Sequence, residues 1–329
     1  MKILWRLKFA HLPTPIEALP RLSAALGGPQ LFVKRDDQTG LAFGGNKTRK
    51  LEYLLAEAQA GGAKTLLTAG AIQSNHCRQT AAAAARFNME CILVLAGSEP
   101  AYPSGNLLLD RFLGAEIVWT TRERRDEDLN DSYELAKQVG RRPYLIPYGG
   151  SNPTGAAAYA YAIRELMEQY KNSPLDGRLP DWIVFPSSSG GTQAGMVVGS
   201  RVYEYSGSVL GISVDEQAAV LQGRVADLAN RTAGYLGEEG EYKDDDILVN
   251  ADYLGEGYAV MGAAESEAMQ LFARKEGLLL DPVYTGRAAA GLIDLIRRDY
   301  FKPADRILFW HTGGTPALFV DRYKDQILS

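Results

Sequence analysis

The chain reads Phe43-Gly44-Gly45-Asn46-Lys47-Thr48-Arg49-Lys50-Leu51-Glu52-Tyr53 near its N-terminal end, so that Lys47 directly follows a Gly-Gly turn. From Lys50 onward, apolar residues recur at helical spacing until Gly61-Gly62 closes the segment. We therefore expect Lys47 near the start of a helix, where the helix dipole favours the neutral form of an amine. A solvated lysine, or one that faces a phosphate, is the alternative that a single short motif leaves open.

A neutral lysine amine indicates covalent chemistry on a carbonyl group. It is the form that reacts with the aldehyde of pyridoxal phosphate (PLP). The leading hypothesis is thus a PLP-dependent enzyme in which Lys47 anchors the cofactor and carries protons.

Length and composition indicate a globular protein of about two domains. Of its 329 residues, 46% are apolar and 23% are charged, and 35 basic against 40 acidic side chains give a net charge of −5. This balance predicts no nucleic-acid partner. The basic cluster Arg122, Arg124 and Arg125 precedes three acidic residues and is typical of a solvated helix start.

Cysteine usage and hydropathy favour the cytoplasm. Only Cys77 and Cys91 occur, which is too few for a disulfide framework, and their spacing does not suggest a metal site. Charges interrupt the first residues too early for a secretory signal. The uncharged stretches 143–163 and 182–200 contain Gly and Pro clusters, so that no membrane span is predicted.

Short apolar runs alternate with helical segments along most of the chain. The predicted strands are 65–68, 91–95, 116–119, 182–185, 209–214 and 306–310. The predicted helices are 77–87, 129–139, 156–170, 193–204, 265–276 and 288–298. This alternation predicts an α/β protein with parallel sheets, in which ligands bind at the carboxyl ends of the strands. A domain break is expected in the turn-rich stretch 148–153.

The loop after the first of these strands carries three polar side chains. Ser74, Asn75 and His76 supply hydroxyl, amide and imidazole groups at the start of a helix, a place that suits a carboxylate. The alternative is an ordinary N-cap cluster that only satisfies the first turn of the helix.

The loop after the strand 182–185 is rich in serine and glycine. It reads Pro186-Ser187-Ser188-Ser189-Gly190-Gly191-Thr192-Gln193-Ala194-Gly195 and does not match a dinucleotide-binding fingerprint. Successive small residues allow backbone N–H groups to converge on an anion at a helix N-terminus, which predicts a phosphate site. A flexible loop without a ligand is the alternative.

Two further strand-end or helix-start loops carry hydroxyl groups. Asp281-Pro282-Val283-Tyr284-Thr285 places a phenol before a helix, although a tyrosine is more often packed in a core. Thr312 follows the strand 306–310 and can bond a ring nitrogen, or it can merely shape the Gly-Gly turn that comes next.

Together these motifs resemble the D-cysteine desulfhydrase and 1-aminocyclopropane-1-carboxylate (ACC) deaminase family of fold type II, tryptophan synthase β-like PLP enzymes. The resemblance begins at Leu12-Pro13-Thr14-Pro15 and covers most of the chain. It implies two open parallel-sheet domains with flanking helices, a large PLP-binding domain of residues 1–50 and 147–329, and a small domain of residues 51–146. It also implies a homodimer.

The resemblance implies a role for each matching residue. The cofactor would be bound by Lys47, Asn46, Asn75, Ser189, Gly190, Gly191, Thr192 and Thr312. The amino-acid substrate would contact Ser74, Asn75, His76, Tyr284 and Thr285. Besides Lys47, which would link to the cofactor and remove the α-proton, the catalytic candidates are Ser74, Tyr258 and Tyr284.

One departure separates the branches of the family. ACC deaminases carry a glutamate and a leucine where this chain has Thr285 and Thr312. A carboxylate would keep a proton on the cofactor's ring nitrogen, whereas a hydroxyl can bond that nitrogen without protonating it. The threonines therefore favour β-elimination on D-cysteine, which yields pyruvate, hydrogen sulfide and ammonia. L-cysteate or another β-substituted amino acid is the alternative substrate; ACC deamination is disfavoured, and a PLP-binding protein without turnover is the hypothesis from another class.

Overall fold

The computed structural model describes residues 2–328. Its strands are β1 (Ile16–Ala18), β2 (Gln30–Lys34), β3 (Thr65–Ala71), β4 (Glu90–Ala96), β5 (Glu116–Thr120), β6 (Pro143–Leu145), β7 (Trp182–Ser187), β8 (Ser208–Ser213), β9 (Leu248–Asn250) and β10 (Arg306–Trp310). Its α-helices are α1 (Pro20–Leu26), α2 (Asn46–Ala60), α3 (Asn75–Arg86), α4 (Gly105–Phe112), α5 (Arg125–Gln138), α6 (Pro153–Gln169), α7 (Gly191–Val202), α8 (Ala218–Leu236), α9 (Ala263–Glu276), α10 (Thr285–Arg297) and α11 (Lys324–Leu328).

The strands form two sheets. The larger has the order β1-β2-β10-β7-β8-β9, and only β1 runs antiparallel to its neighbour. The smaller has the order β5-β4-β3-β6 and is parallel throughout. The predicted α/β class with two open parallel sheets is confirmed.

The central strands are buried on both faces. Ile183, Val184 and Phe185 in β7 and Leu308 and Phe309 in β10 are fully buried. Helices cover both sides of such a sheet, so its strands appear in the sequence as continuous apolar runs rather than as an alternating pattern. This is why these two strands were predictable from composition alone.

The smaller sheet lies entirely within residues 65–145, inside the predicted small domain. The predicted boundary after residue 50 falls inside the continuous helix α2. At the other end, the side chain of Asn152 caps α6 by accepting a hydrogen bond of 2.9 Å from the N–H of Gly155. The exact division into domains stays a prediction.

None of the helices in residues 2–328 combines the length and the apolar character that crossing a membrane requires.

Candidate active site

A cavity lies where the carboxyl ends of β3, β7 and β10 meet the start of α2. It encloses about 590 Å³, including the part open to solvent. Most of the predicted site residues line it: Asn46, Lys47, Ser74, Asn75, His76, Ser189, Gly190, Thr192, Tyr284 and Thr312. Because the carboxyl ends of parallel strands meet at one edge of a sheet, loops distant in the sequence converge here.

The start of α2 is held against the loop that follows β10. Gly45 precedes the helix with φ +126°, and a Cβ atom there would lie 2.5 Å from the Gln79 side chain, so that only glycine fits. The N–H of Asn46 donates a 3.0 Å hydrogen bond to the carbonyl of Thr312. These contacts place Lys47, in the first turn of α2, at the cavity wall.

The amine of Lys47 lies close to that of Lys50, one turn further along α2. Burial lowers the pKa of Lys47 to about 8, and hydrogen bonding to Lys50 opposes this in part. Burial and the charge of Lys47 lower the pKa of Lys50 well below its ordinary value. Lys47 thus has the easily deprotonated amine that the sequence predicts, and burial is the main cause of its lowered pKa.

The start of α7 faces the Lys50 side chain. The N–H of Gly191 points to Ser151 Oγ at 3.2 Å, and Ser151 Oγ lies 2.8 Å from Ser189 Oγ. Lys50 Nζ donates to the carbonyl of Gly149 at 3.1 Å and to Ser151 Oγ at 3.4 Å.

This arrangement fits a phosphate ester. A Cβ atom on Gly191 would lie 2.5 Å from Ser151 Oγ and 2.9 Å from Lys50 Nζ, so glycine is needed for these two groups to approach the start of the helix. A helix N-terminus, two hydroxyl groups and an ammonium group on one small volume form an anion site. We infer that Ser189, Gly190, Gly191, Thr192, Ser151 and Lys50 would hold the cofactor phosphate.

The start of α3 presents oriented donors to the cavity. Ser74 caps the helix by accepting a 3.2 Å hydrogen bond from the N–H of Cys77, which leaves its own hydroxyl hydrogen to donate. The side-chain oxygen of Asn75 accepts a 2.9 Å bond from the amide of Asn106 in α4, so its NH₂ group is free to point at a ligand oxygen. This loop can therefore cap the helix and bind a ligand at the same time.

His76 is held in one tautomer. Thr68 Oγ1 gives its hydrogen to the carbonyl of Ile146 at 2.8 Å, and it lies 2.9 Å from His76 Nε2. His76 Nε2 must therefore carry the hydrogen, which leaves Nδ1 as an acceptor, buried and without a partner within residues 2–328. Burial and the charges of Lys47 and Lys50 lower the pKa of His76 well below its ordinary value. A neutral ring with a bare Nδ1 has no second N–H to offer a carboxylate.

Comparison with known sequences decides the family. The profile of the family described as pyridoxal-phosphate dependent enzyme matches residues 7–313. The chain belongs to this family. The predicted PLP dependence is confirmed, and when bound the cofactor would be linked to Lys47.

Individual relatives of this PLP enzyme agree. It is 42% identical over 320 residues to D-cysteine desulfhydrase of Klebsiella pneumoniae (strain 342), an alignment that covers 95% of each chain. A crystal structure of an ACC deaminase homologue superposes with a TM-score of 0.87 at 35% identity, covering 99% of this chain and 96% of the other. Threonine deaminase isoform 2 from Solanum lycopersicum, at 18% identity, TM-score 0.69 and coverage of 97% and 83%, shares the fold. The predicted family is confirmed.

Two tyrosines of the enzyme share one short hydrogen bond. The hydroxyls of Tyr258 and Tyr284 lie 2.6 Å apart, and their rings meet edge to face. Tyr284 lines the active-site cavity, whereas Tyr258 lies behind it and lines a neighbouring one. Burial raises the pKa of both phenols, so both stay protonated and can donate.

The two threonines that distinguish the branches occupy different places. Thr312 lines the cavity. Thr285 is fully buried at the start of α10, where its hydroxyl donates to Asp281 Oδ1 at 2.8 Å and accepts from the N–H of Asp281 at 2.8 Å. Thr285 therefore serves the turn before α10, and its predicted contact with substrate gains no support from this placement.

Several residues of the site were not predicted from the sequence. Lys50 and Ser151 lie at the start of α7, where we infer the phosphate site. Asn106 orients Asn75, and Tyr148 lines the cavity. Lys50 had a readable signal, since it lies one helical turn after Lys47. Asn106 had none, because its contact joins residues 31 positions apart.

Proposed function

We propose that this enzyme is a D-cysteine desulfhydrase, which converts D-cysteine and water to pyruvate, hydrogen sulfide and ammonia. The proposal is carried by one observation. Lys47, Thr312 and Tyr284 meet in a single cavity, in a chain that is 42% identical to a protein of that name.

Lys47 acts as the base. PLP, when bound, withdraws the electrons that remain on the substrate's α-carbon after its proton leaves. A pKa near 8 lets a useful fraction of the Lys47 amine be neutral near physiological pH, so that it can take that proton.

The start of α3 orients the substrate. Ser74 and the N–H groups of the first turn would bind the substrate carboxylate, and the NH₂ group of Asn75 would help to hold the cofactor. Holding the carboxylate fixes the direction of the Cα–H bond towards Lys47, which lowers the entropy cost of proton transfer.

Tyr284 acts as the acid for the leaving group. Its hydroxyl belongs to a cavity-lining side chain, and its raised pKa keeps it protonated. A departing thiolate can take this proton, which makes expulsion of sulfur easier. Thr312, a neutral hydroxyl on the cavity wall, would suit this elimination better than the more demanding opening of a cyclopropane ring.

A substrate panel tests the proposal. D-cysteine, L-cysteine, L-cysteate, β-chloro-D-alanine and ACC are each assayed for keto-acid release, together with sulfide or sulfite. We expect D-cysteine to be turned over fastest. Lys47→Ala should remove the activity, while Lys137→Ala, at an exposed lysine of α5, should keep it. Turnover by Lys47→Ala would contradict the assignment of the base.

L-cysteate is the second candidate substrate. Four arginines line the cavity next to the active site, and such a surface favours an anionic side chain: Arg122, Arg125, Arg224 and Arg231. Sulfite release from L-cysteate faster than sulfide release from D-cysteine would select it. Failure of every substrate would favour a PLP-binding protein without turnover.

We further propose that the enzyme is a homodimer, as the family resemblance implies. We also propose that it is cytoplasmic, as its cysteine usage favours. Light scattering of the purified protein should give twice the mass of the 35.9 kDa chain. A single-chain mass would exclude the dimer.

A further inference from the structure

A second cavity adjoins the active site. Tyr148 and Ser189 line both cavities. The second is the larger, at about 1400 Å³ including the part open to solvent. It is open to solvent and borders the residues proposed to bind the substrate.

Asp215 is the carboxylate in this second cavity that lacks a complete set of partners. It lies two residues after the end of β8, at the edge of the sheet that carries the active-site loops. Its Oδ2 accepts a 2.6 Å hydrogen bond from Ser188, which lines the first cavity. Its Oδ1 is buried and has no partner among residues 2–328. Such an oxygen needs a donor, and water or a phenol can supply one.

The tyrosine pair lies between the cavity of Asp215 and the active site. Tyr284 lines the first cavity and Tyr258 the second, and their hydroxyls are 2.6 Å apart, so the pair spans the wall between the cavities. Asp215 and Tyr258 line the same cavity. Burial is the main cause that raises the pKa of both tyrosines, and the charge of Asp215 adds a smaller contribution than the interactions with Tyr148 and between the two tyrosines.

The surroundings of Asp215 favour proton exchange. Burial raises the pKa of its carboxyl group, and the charge of Glu216 adds to this. The hydrogen bond from Ser188 and the charges of Arg224 and Arg122 oppose it. Arg224 is already engaged, since it donates to Glu216 at 2.7 Å and to the carbonyl of Ser188 at 3.1 Å. Asp215 thus has no dedicated cationic partner among these contacts.

We propose that Asp215 is the solvent end of a proton relay that runs through Tyr258 to Tyr284. The inference rests on the proposed elimination. When the C–S bond breaks, its electron pair leaves with sulfur, which takes the proton of Tyr284. Tyr284 takes the proton of Tyr258, and Tyr258 takes one from a water molecule that bridges it to Asp215. That water recovers a proton from the Asp215 carboxyl, and Asp215 recovers one from solvent. The net change is one proton moved from solvent to sulfur.

The relay is tested by the leaving group. Sulfide needs a proton to leave easily, whereas chloride does not. Asp215→Ala should therefore lower kcat for D-cysteine by a factor on the order of 10² and leave kcat for β-chloro-D-alanine unchanged. Formate should restore the D-cysteine rate, since a small acid fits the second cavity. Glu267→Gln, at a carboxylate that is paired with Arg297 and is not among the lining residues of either cavity, is the matched control and should affect neither substrate.

Two results would overturn the relay: equal loss on both substrates, which indicates a structural role, or an unchanged D-cysteine rate in Asp215→Ala. If the wild-type enzyme turns over neither substrate, the proposed function has failed instead.

The carboxyl group of Asp215 is then tested without turnover, in the cofactor-free protein. Infrared difference spectra against Asp215→Asn should show the band of a protonated acid disappearing at a higher pH than that of an ordinary aspartate, and an ordinary midpoint would refute the relay.

Discussion

Helix α2 carries two kinds of buried cation at neighbouring positions. Arg49 is one kind, with its guanidinium group fully paired. It donates to both oxygens of Asp36 at 2.8 and 2.9 Å and to both oxygens of Glu165 at 2.8 and 2.9 Å. Burial alone would raise the pKa of Glu165, but the charges of Arg49 and Lys34 outweigh it and lower the pKa to about 2.

Lys47 and Lys50 are the other kind. Within residues 2–328, neither amine forms an ion pair with a carboxylate, and Lys50 donates only to a carbonyl and a serine hydroxyl. Burial lowers the pKa of both lysines, whereas the carboxylates around Arg49 outweigh its burial and raise its pKa.

The difference separates structural charge from functional charge. A buried cation that the chain neutralises itself supports the fold, because breaking such a pair leaves an uncompensated charge. A buried amine that the chain leaves without a counter-ion is available to a ligand: Lys50 to the cofactor phosphate and Lys47 to the cofactor aldehyde. Removal of a cation from each group should therefore harm different properties.

The largest effect is expected on turnover in Lys47→Ala. Loss of the base and of the covalent anchor should lower kcat by a factor on the order of 10⁴, measured as pyruvate release. The free energy of unfolding of the cofactor-free protein should stay the same or rise, because a cation without a carboxylate partner is removed. A marked loss of stability would contradict the distinction between cations that have a carboxylate partner and cations that have none.

Arg49→Met should reverse this pattern. It leaves the buried carboxylate of Asp36 without a cationic partner, whereas Glu165 keeps its pair with Lys34. We expect a loss of about 3–5 kcal/mol in the free energy of unfolding, measured with urea. The matched control is Arg298→Met, which breaks an exposed pair with Asp294 and should leave the free energy of unfolding almost unchanged, because solvent screens such pairs. Similar losses in both variants would show that the pairs of Arg49 with Asp36 and Glu165 have no special structural role.

Lys50→Met sharpens the phosphate assignment. Loss of a charged hydrogen bond should weaken PLP binding by about 1.5–3 kcal/mol, or roughly 10- to 100-fold in Kd. Pyridoxal, which lacks the phosphate, should bind wild type and variant equally well. Equal weakening of both ligands would place Lys50 away from the phosphate.

The pH dependence of cofactor capture gives the smallest effect. A pKa of about 8 for Lys47 means that the neutral amine decreases about tenfold per pH unit below that value and is nearly constant above it. The rate at which cofactor-free protein captures PLP should therefore rise up to about pH 8 and then level off. A free lysine derivative, measured as the control, should keep rising towards its ordinary pKa. The same continued rise in the protein would mean that burial does not lower the pKa of Lys47.

The regular elements were largely predictable, and their ends were not. All six predicted strands and all six predicted helices are present, but the helices begin two to four residues earlier than predicted. Their first turns contain residues that are typical of loops, as in Pro153 of α6 and Gly191-Thr192 of α7. Capping and anion binding require such residues at a helix start, so local composition conceals the true beginning.

The missed elements have identifiable causes. Strands β1, β6 and β9 have three residues each, too few to show a period, and β2 is defined by its pairing with the distant β10. Helix α8 has buried residues at helical spacing, such as Leu221, Val225 and Leu228, but Gly223 and Gly234 interrupt the pattern.

The amino-acid sequence by itself determined the α/β class, the family, the place of Lys47 near a helix start and the loops that form the cavity. Strand periodicity and strand-end loops are local properties, so they can be recognised without the fold. Only the tertiary structure decided how those groups are tuned. Lys50 reaches a carbonyl 99 positions away, and Asn75 takes its orientation from α4. Whether a buried charge has a counter-ion, and where a buried oxygen lacks a donor, depends on neighbours that are remote in the chain.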